Sequence, residues 1–488
     1  MWPFTNITDR INRIIQNGAD TALTDEEFIL RQINEFKSSR KRKDMIDGER
    51  YFMGQHDIKW RKRMAIGDGG ELEEVTNLPN NRIVDNQYKR MVKQKYNYLT
   101  GQPLTLNCDN DEYLHLLEQY FDMDFMRTLK YTCKSSLNQG IGWMMVYYDS
   151  GGKLSVKRIN SFELVPVWAD TDHTQLEMMI RFYPVQVYEG KTLTRIIEKV
   201  EVYTNSGIMY YVIDGSKLMP AVPYYQSYFS IGETPYNWTK IPFVPFKYNE
   251  TETTLLQCCK SLQDAMNLIE SNFQNQMEEE PRNSIMVLVN YDGENLGEFR
   301  RQLSTFSAVK IRDNGEGGKG DVRTLEIPVN AENYKSILDI FKRAIIENCM
   351  GYDAKDDRLG GQPNQMNIQS MYQDMDLDAN DMETEYQASM EQLMWFLNCH
   401  FANTGKGDFF NERVKFIFNR DMMMNEGEVI DNINNSIGIL STETLVSQHP
   451  WVDSPQGELD RLKKEQEEQQ KSMYDPFSGT DPPEGGDG

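Results

Sequence analysis

Between Leu255 and Met277 an apolar residue returns at every third or fourth position, with no glycine or proline in the run. Leu255, Cys259, Leu262, Met266, Ile269, Phe273 and Met277 form one narrow helical stripe, and Pro281 forbids its continuation. A second stripe follows the capping residue Asn330: Tyr334, Ile337, Leu338, Phe341, Ile345 and Cys349. A helix of about 25 residues spans about 37 Å, long for a globular core. Residues 281–329, between the two helices, read as strand, helix, strand and hairpin in SIMVLVNY, ENLGEFRRQL, TFSAVKIR and DVRTLEIPV. The chain must therefore build a two-helix stalk carrying a small α/β tip.

A third stripe, Ile368, Met371, Met375, Ala379, Met382, Tyr386, Met390, Leu393 and Leu397, runs through the acidic stretch DMDLDANDMETE at 374–385. Read as a loop, Asp374, Asp376, Asp378 and Glu385 have the spacing of calcium ligands. The calcium loop needs a glycine at its sixth place, and Ala379, a strong helix former, stands there. On a helix Asp374, Asp378 and Asp381 share one polar face while Asp376 points elsewhere, so no single cation collects them.

Upstream, TDEEFILRQINEFKSS opens a helix with Thr24 and Glu27 as a capping box. Residues 37–63 carry ten Lys or Arg against four Asp or Glu, which reads as a solvated face paired to acidic neighbours or, failing that, a phosphate contact. Helical periodicity covers 112–140, and the strands GWMMVYYD, KLSVKRI, FELVPVW, LEMMIRFYPV, TRIIEKVEVYT and IMYYVID follow, with turns at 150–152 and 214–215. The class is α+β with a mostly antiparallel sheet. Residues 352–366 are polar and glycine-bearing and read as a loop. A short strand pair around FFNERVKFIFN, helices around EVIDNINNSIGIL and after Ser441, and a charged helix lead to an acidic tail after Lys471.

Fifty-two basic against 75 acidic residues give a net charge of −23, which disfavours general coating of nucleic acid. Apolar runs such as IMVLV fall far short of the roughly 18 residues of a membrane span, and the first residues lack a signal peptide's apolar core. The expectation is a soluble protein inside the cell, with no membrane contact. Cys108, Cys133, Cys258, Cys259, Cys349 and Cys399 show no CxxC spacing, so packed free thiols are expected rather than disulfides or zinc. Cys399 and His400 are adjacent but point about 100° apart on a helix, which argues against nucleophile and base. GxSxG and HExxH are absent. In NGEGGKGDV (314–322) Lys319 precedes glycine rather than serine or threonine, between strand-like runs, so a hairpin tip is expected rather than a phosphate loop. No cofactor, metal or catalytic residue is expected.

Five stretches in order carry a further likeness: ERYFMGQHDI (49–58), NRIVDNQYKRMVKQKYNYLTGQPLTL (81–106), INSFELVPVWAD (159–170), MYQDMDLDANDMETEY (371–386) and LVSQHPWVDSPQGELDRLKKE (445–465). Together they resemble the portal proteins of tailed bacteriophages, specifically the family typified by long-tailed phages of Gram-positive hosts. The resemblance implies a portal fold: a wing from residues 25–253 and 367–424 that includes a long helix, stem helices at 254–280 and 330–351, a small α/β clip at 281–329, a tunnel loop at 352–366 and an α-helical crown at 425–470. Residues 1–24 would be a flexible N-terminus and 471–488 a disordered tail.

It also implies a homo-oligomeric ring, usually a 12-mer, at one capsid vertex of the virion, assembled in the host bacterial cytoplasm. Its partners would be double-stranded DNA in the channel, the terminase large subunit, a head-tail adaptor, and the major capsid and scaffolding proteins. Twelve chains at −23 carry about −276, a field that lets DNA slide without tight binding. Lys355, Arg358, Gln362 and Asn364 become the candidate channel residues of the tunnel loop, with Asp353, Asp356 and Asp357 as competing partners for the two cations. Pro363 departs from the family's loop. Arg300, Arg301, Arg312 and Lys319 become the candidate partner contacts of the clip. The alternatives are another head or neck adaptor ring, which fits the charge but not the paired helices, and a nucleic-acid-processing enzyme with a site unlike known motifs.

Overall fold

The structure is a computed structural model that describes residues 25–66, 71–76, 78–189, 192–279, 285–289, 321–325, 331–353, 365–420, 426–452 and 455–473. It divides into a larger unit, up to Gly351 together with Met375–Asp421, and a smaller one, Tyr352–Asp374 with Met422–Gly488.

The larger unit opens with α1 (Asp25–Ser38), whose first turn holds Asp25, Glu26 and Glu27 where the helix dipole favours anions. Phe28, Ile29 and Ile33 bury against Val165, Ile180, Val200 and Tyr211 of a sheet. Helix α2 (Arg40–Phe52) starts at Ser39, whose hydroxyl accepts from the Arg42 amide. Strands β1 (Met64–Ile66) and β2 (Leu72–Glu74) form a small hairpin. Helix α3 (Gln87–Thr100) is capped by Asn86, and β3 (Thr105–Asn107) follows.

The periodicity at 112–140 predicts one helical run, and the structure breaks it in two: α4 (Asp111–Glu118) and α5 (Met123–Gln139). The cause is Asp122, whose side chain accepts from the Phe125 amide and starts a new helix.

The strand-rich part comes next: β4 (Ile141–Tyr148), β5 (Leu154–Ile159), β6 (Leu164–Trp168), β7 (Leu176–Glu189), β8 (Thr192–Thr204), β9 (Gly207–Asp214), β10 (Lys217–Gln226), β11 (Phe229–Ile231), β12 (Thr234–Tyr236) and β13 (Phe243–Lys247). They make an antiparallel sheet in the order β10-β9-β8-β7-β6, a second in the order β13-β4-β5, and the hairpin β11-β12. The antiparallel α+β reading holds. Trp143, Trp168 and Phe243 form the core between strands, while α5 lays Leu129, Cys133 and Leu137 into the main core.

Helices α6 (Leu256–Glu279) and α7 (Ala331–Asn348) are the two expected from the first stripes. Between them β14 (Ile285–Val289) pairs antiparallel with β15 (Asp321–Leu325). Two positions leave the expected apolar stripes: Met277 is 45% exposed and Ile337 41%. Helix α8 (Gln365–Asn403) is continuous through the acidic stretch, so the helical reading of DMDLDANDMETE holds. Strand β16 (Lys415–Ile417) is found where a strand was expected, but its partner is the distant β3, with Phe416 opposite Leu106.

In the smaller unit Tyr352 packs on Tyr372, with ring centres 4.7 Å apart. Helices α9 (Glu426–Asn435), α10 (Thr442–Ser447) and α11 (Pro455–Met473) follow, with Ser441 capping α10 through the Thr444 amide. No helix among the described residues is long and apolar enough to cross a membrane.

Candidate functional site

The residues singled out in the sequence, Lys355, Arg358, Gln362 and Asn364 with Arg300, Arg301, Arg312 and Lys319, lie outside the described residues. What the structure describes is the frame that holds the segments containing them: α6, α7 and the part of α8 in the larger unit.

Helices α6 and α7 pack antiparallel. Near one end the Phe273 and Tyr334 rings are 4.8 Å apart and the Tyr334 hydroxyl donates to Gln276 Oε1 at 2.8 Å. At the other end Leu255, Cys259, Met266, Ile345, Ile346 and Cys349 join the main core. Lys342 of α7 meets Asp85 at 3.0 Å, and burial followed by the Asp85 charge pushes the nearby Glu270 carboxyl up.

A second stripe on α6, beside the apolar one, is polar and buried: Gln263, Asn267, Ser271 and Asn275, each four residues from the last. These side chains accept from backbone amides of the preceding segment: Asn275 from Asn81 at 2.7 Å, Ser271 from Ile83 at 3.0 Å, Asn267 from Asp85 at 3.2 Å and Gln263 from Tyr88 at 3.1 Å. From Asn81 to Ile83 to Asp85, two extended residues rise about 6.6 Å and one helical turn of four residues about 6 Å, so these rungs stay in register, and the last rung takes the Tyr88 amide in the first turn of α3. The helix thus serves as the missing neighbour strand for a segment whose amides would otherwise be buried without partners. Amides and a hydroxyl at strict four-residue spacing are visible in the sequence, but the apolar periodicity beside them masks their meaning.

Next to this ladder the His56 ring stacks on Tyr51, centres 4.4 Å apart. Its Nδ1 accepts from the Asn267 amide at 2.8 Å and its Nε2 donates to the Tyr51 carbonyl at 3.1 Å, which fixes the neutral ring. The Tyr51 hydroxyl donates to Asp264 at 2.5 Å, and burial and then that bond push its pKa far up. Burial works to raise the Asp57 carboxyl as well, but hydrogen bonds from Lys260 and Arg50 outweigh it and bring it down to about 2.

Part of the basic run at 37–63 is paired to acidic neighbours, as the solvated-face reading expects. Lys37 meets Glu198, Lys41 meets Glu252, Arg50 bridges Asp47 and Asp57, and Lys62 meets Glu74.

The acidic face of α8 differs from expectation. Asp378 is not on a free polar face: its carboxylate takes the buried Lys95 ammonium at 2.6 Å and the Tyr248 hydroxyl at 2.9 Å. Asp376 takes the Tyr98 hydroxyl at 2.5 Å and Arg420 at 2.6 Å. Arg420 also reaches Glu383 at 3.0 Å. Partners from α3 and from beyond β16 converge on this helix, Tyr98 and Arg420 on the same Asp376 oxygen, which only the fold could supply. These carboxylates are committed to protein cations, so millimolar calcium is expected to leave the melting temperature unchanged; a clear rise in a calcium titration would reject that assignment.

His400 is no base for Cys399, since hydroxyls of Tyr120 and Tyr148 occupy Nε2 at 2.9 Å and Nδ1 at 3.1 Å. Burial raises the Cys399 thiol and lowers the imidazole.

Comparison with known proteins identifies the family. The family model described as "Phage portal protein, SPP1 Gp6-like" matches residues 34–472. The chain is 29% identical to the portal protein of Bacillus phage SPP1 over 493 residues, 97% of this chain and 94% of that one. It is 25% identical to the portal protein of Clostridium phage phiCD119 over 448 residues, with coverage of 88% and 94%. A chain in the solved structure titled "Neck of native GTA particle computed with C12 symmetry" aligns at a TM-score of 0.40 and 14% identity, over 75% of this chain and 89% of that one. The chain belongs to the phage portal protein family, in its SPP1 Gp6-like branch.

Proposed function

We propose that the chain is the subunit of a portal ring, of twelve copies, at one vertex of a phage capsid. DNA is driven in through it by the terminase and leaves through it into the tail. The observation that carries this reading is the family match along residues 34–472, nearly the whole chain. In this reading residues 25–253 and 367–424 are the wing, α6 and α7 the stem, 281–329 the clip, 352–366 the tunnel loop and 425–470 the crown. Lys355, Arg358, Gln362 and Asn364 face DNA. Arg300, Arg301, Arg312 and Lys319 meet the terminase or the head-tail adaptor, and the wing side meets capsid and scaffolding proteins. The role is structural rather than enzymatic, and the protein acts in the virion after assembly in the host cytoplasm.

A ring accounts for side chains that a lone chain leaves wet: on α7, Ile337 is 41% and Ile340 63% exposed. Negative-stain images of the purified protein are expected to show rings with a central hole about as wide as a DNA duplex. The absence of rings at every salt concentration would reject the proposal. Ile340→Asp is expected to shift the population from rings to single chains, read by analytical ultracentrifugation, with circular dichroism unchanged.

A further inference from the structure

Most cations described above are neutralised where they stand, and Lys153 with Asp122 follows the same rule. One face does not. Helix α3 carries Lys89, Arg90, Lys93 and Lys95 and no acidic residue. Lys95 turns inward to Asp378, whereas Lys89 and Lys93, one helical turn apart, are exposed and have no ion pair among the described residues.

Helix α5 lies alongside. The ammonium groups of Lys134 and Lys89 share one aromatic ring, Phe52, at 4.7 and 5.6 Å from its centre. Lys130 sits 5.7 Å from the centre of the Tyr96 ring. These contacts set the helices antiparallel, with Lys134 opposite Lys89 and Lys130 opposite Tyr96, about one turn along α3 from Lys93. Lys134 is paired to Glu49 at 2.7 Å, and Lys130 has no ion pair among the described residues.

An aromatic ring holds an ammonium in place without cancelling its charge. In a chain with 75 acidic and 52 basic residues, this face keeps its positive potential while neighbouring cations lose theirs to carboxylates.

We propose that the face formed by Lys89, Lys93 and Lys130 binds the phosphate backbone of duplex DNA. A phosphate polymer fits better than a protein surface because lysine is depleted at protein interfaces, whereas compact ammonium charges are the ordinary means of contacting phosphates without regard to sequence. None of the three lysines belongs to residues 352–366. It rests on the portal reading only for the ligand, duplex DNA.

The test is a fluorescence-anisotropy titration of a labelled random-sequence duplex with the full-length chain between about 50 and 200 mM salt. A variant carrying Lys89→Ala, Lys93→Ala and Lys130→Ala is expected to bind at least tenfold more weakly at the low-salt end. Its slope of log affinity against log salt should become shallower by roughly 0.9 for each phosphate that is no longer neutralised. Replacement of the same three by arginine is expected to bind like the natural chain. Unchanged binding by the alanine variant overturns the proposal. So does unchanged binding with an altered ring size in electron micrographs, which would assign the face to contact between copies. A parallel Lys355→Ala, Arg358→Ala variant separates the readings: if it alone loses binding, the channel reading stands and this site falls.

Discussion

Replacing Glu252 by alanine is expected to destabilise the larger unit by about 3 kcal/mol, seen as a fall of several degrees in its calorimetric melting temperature. The Glu252 side chain is only 3% exposed and gathers two lysines and a histidine. Lys41 donates to one oxygen, His173 Nδ1 meets the other at 2.6 Å, and Lys247 stands 3.7 Å away. Those side chains come from α2, the β6–β7 connection and the end of β13, so one carboxylate ties three parts of the fold just before α6 begins. The figure sits at the low end for a broken buried pair because Lys41 and His173 keep enough exposure to turn to water.

Glu252 and His173 also both sit at positive φ, 55° and 57°. Glu252→Gly removes the same charge but relieves the backbone, so it should be less harmful than alanine by about 1 kcal/mol. Burial tends to raise the Glu252 carboxyl, but the Lys41 charge and hydrogen bond outweigh it and hold its pKa below the usual 4.5. A depressed folded-state pKa means that the unfolded chain binds the proton more readily. The contribution is therefore complete above pH 4.5 and lost as the pH falls below it, in the natural chain but not in Glu252→Gln. Equal acid sensitivity of the two chains would contradict this.

Gly140→Ala is expected to cost about 2–5 kcal/mol and to lower soluble yield. Gly140 closes α5 at φ +79°, and a Cβ there would stand 2.1 Å from the Glu252 carbonyl oxygen. Backbone on both sides cannot yield. The chain entering α6 folds back onto this helix end: the Tyr248 amide donates to the Gly140 carbonyl and the Leu255 amide to the Leu137 carbonyl, each at 2.9 Å. Part of the α5 C-terminus is thus capped by residues more than a hundred positions later. Gly152, at φ +78° with nothing within 4 Å of its would-be Cβ, is the control. Gly152→Ala should cost only the backbone preference, about 1–2 kcal/mol. A Gly140→Ala chain no less stable than Gly152→Ala would refute the packing argument.

The three long apolar stripes that periodicity announced are present as helices, while ENLGEFRRQL and TFSAVKIR lie outside the described residues. The stripe from Leu255 and the stripe from Tyr334 become α6 and α7, and the methionine-rich stripe becomes α8 straight through a chelator-like run of aspartates. Such stripes are legible because burial on one face repeats at the helical period regardless of what covers it. The break at Asp122 is less legible, because a cap is one hydrogen bond against a long periodic signal. The three-residue strands escape notice or find unexpected partners because a strand this short has no period of its own. Strand β16 exists only because β3, some 300 positions earlier, lies beside it.

Local propensity, apolar spacing and likeness in the right order are all carried along the chain, and they sufficed for the α+β class, the two long helices bracketing a small insert, the helical nature of DMDLDANDMETE and the family. Which polar groups are spent inside the protein had to wait for the folded molecule. Folding joined Asp378 to Lys95, joined Glu252 to Lys41, hung residues 81–88 on the amide ladder of α6, and left Lys89 and Lys93 without an ion pair among the described residues. A charge or an amide finds its partner across space, at a few ångströms and at any sequence separation, and no pattern along the chain encodes that distance.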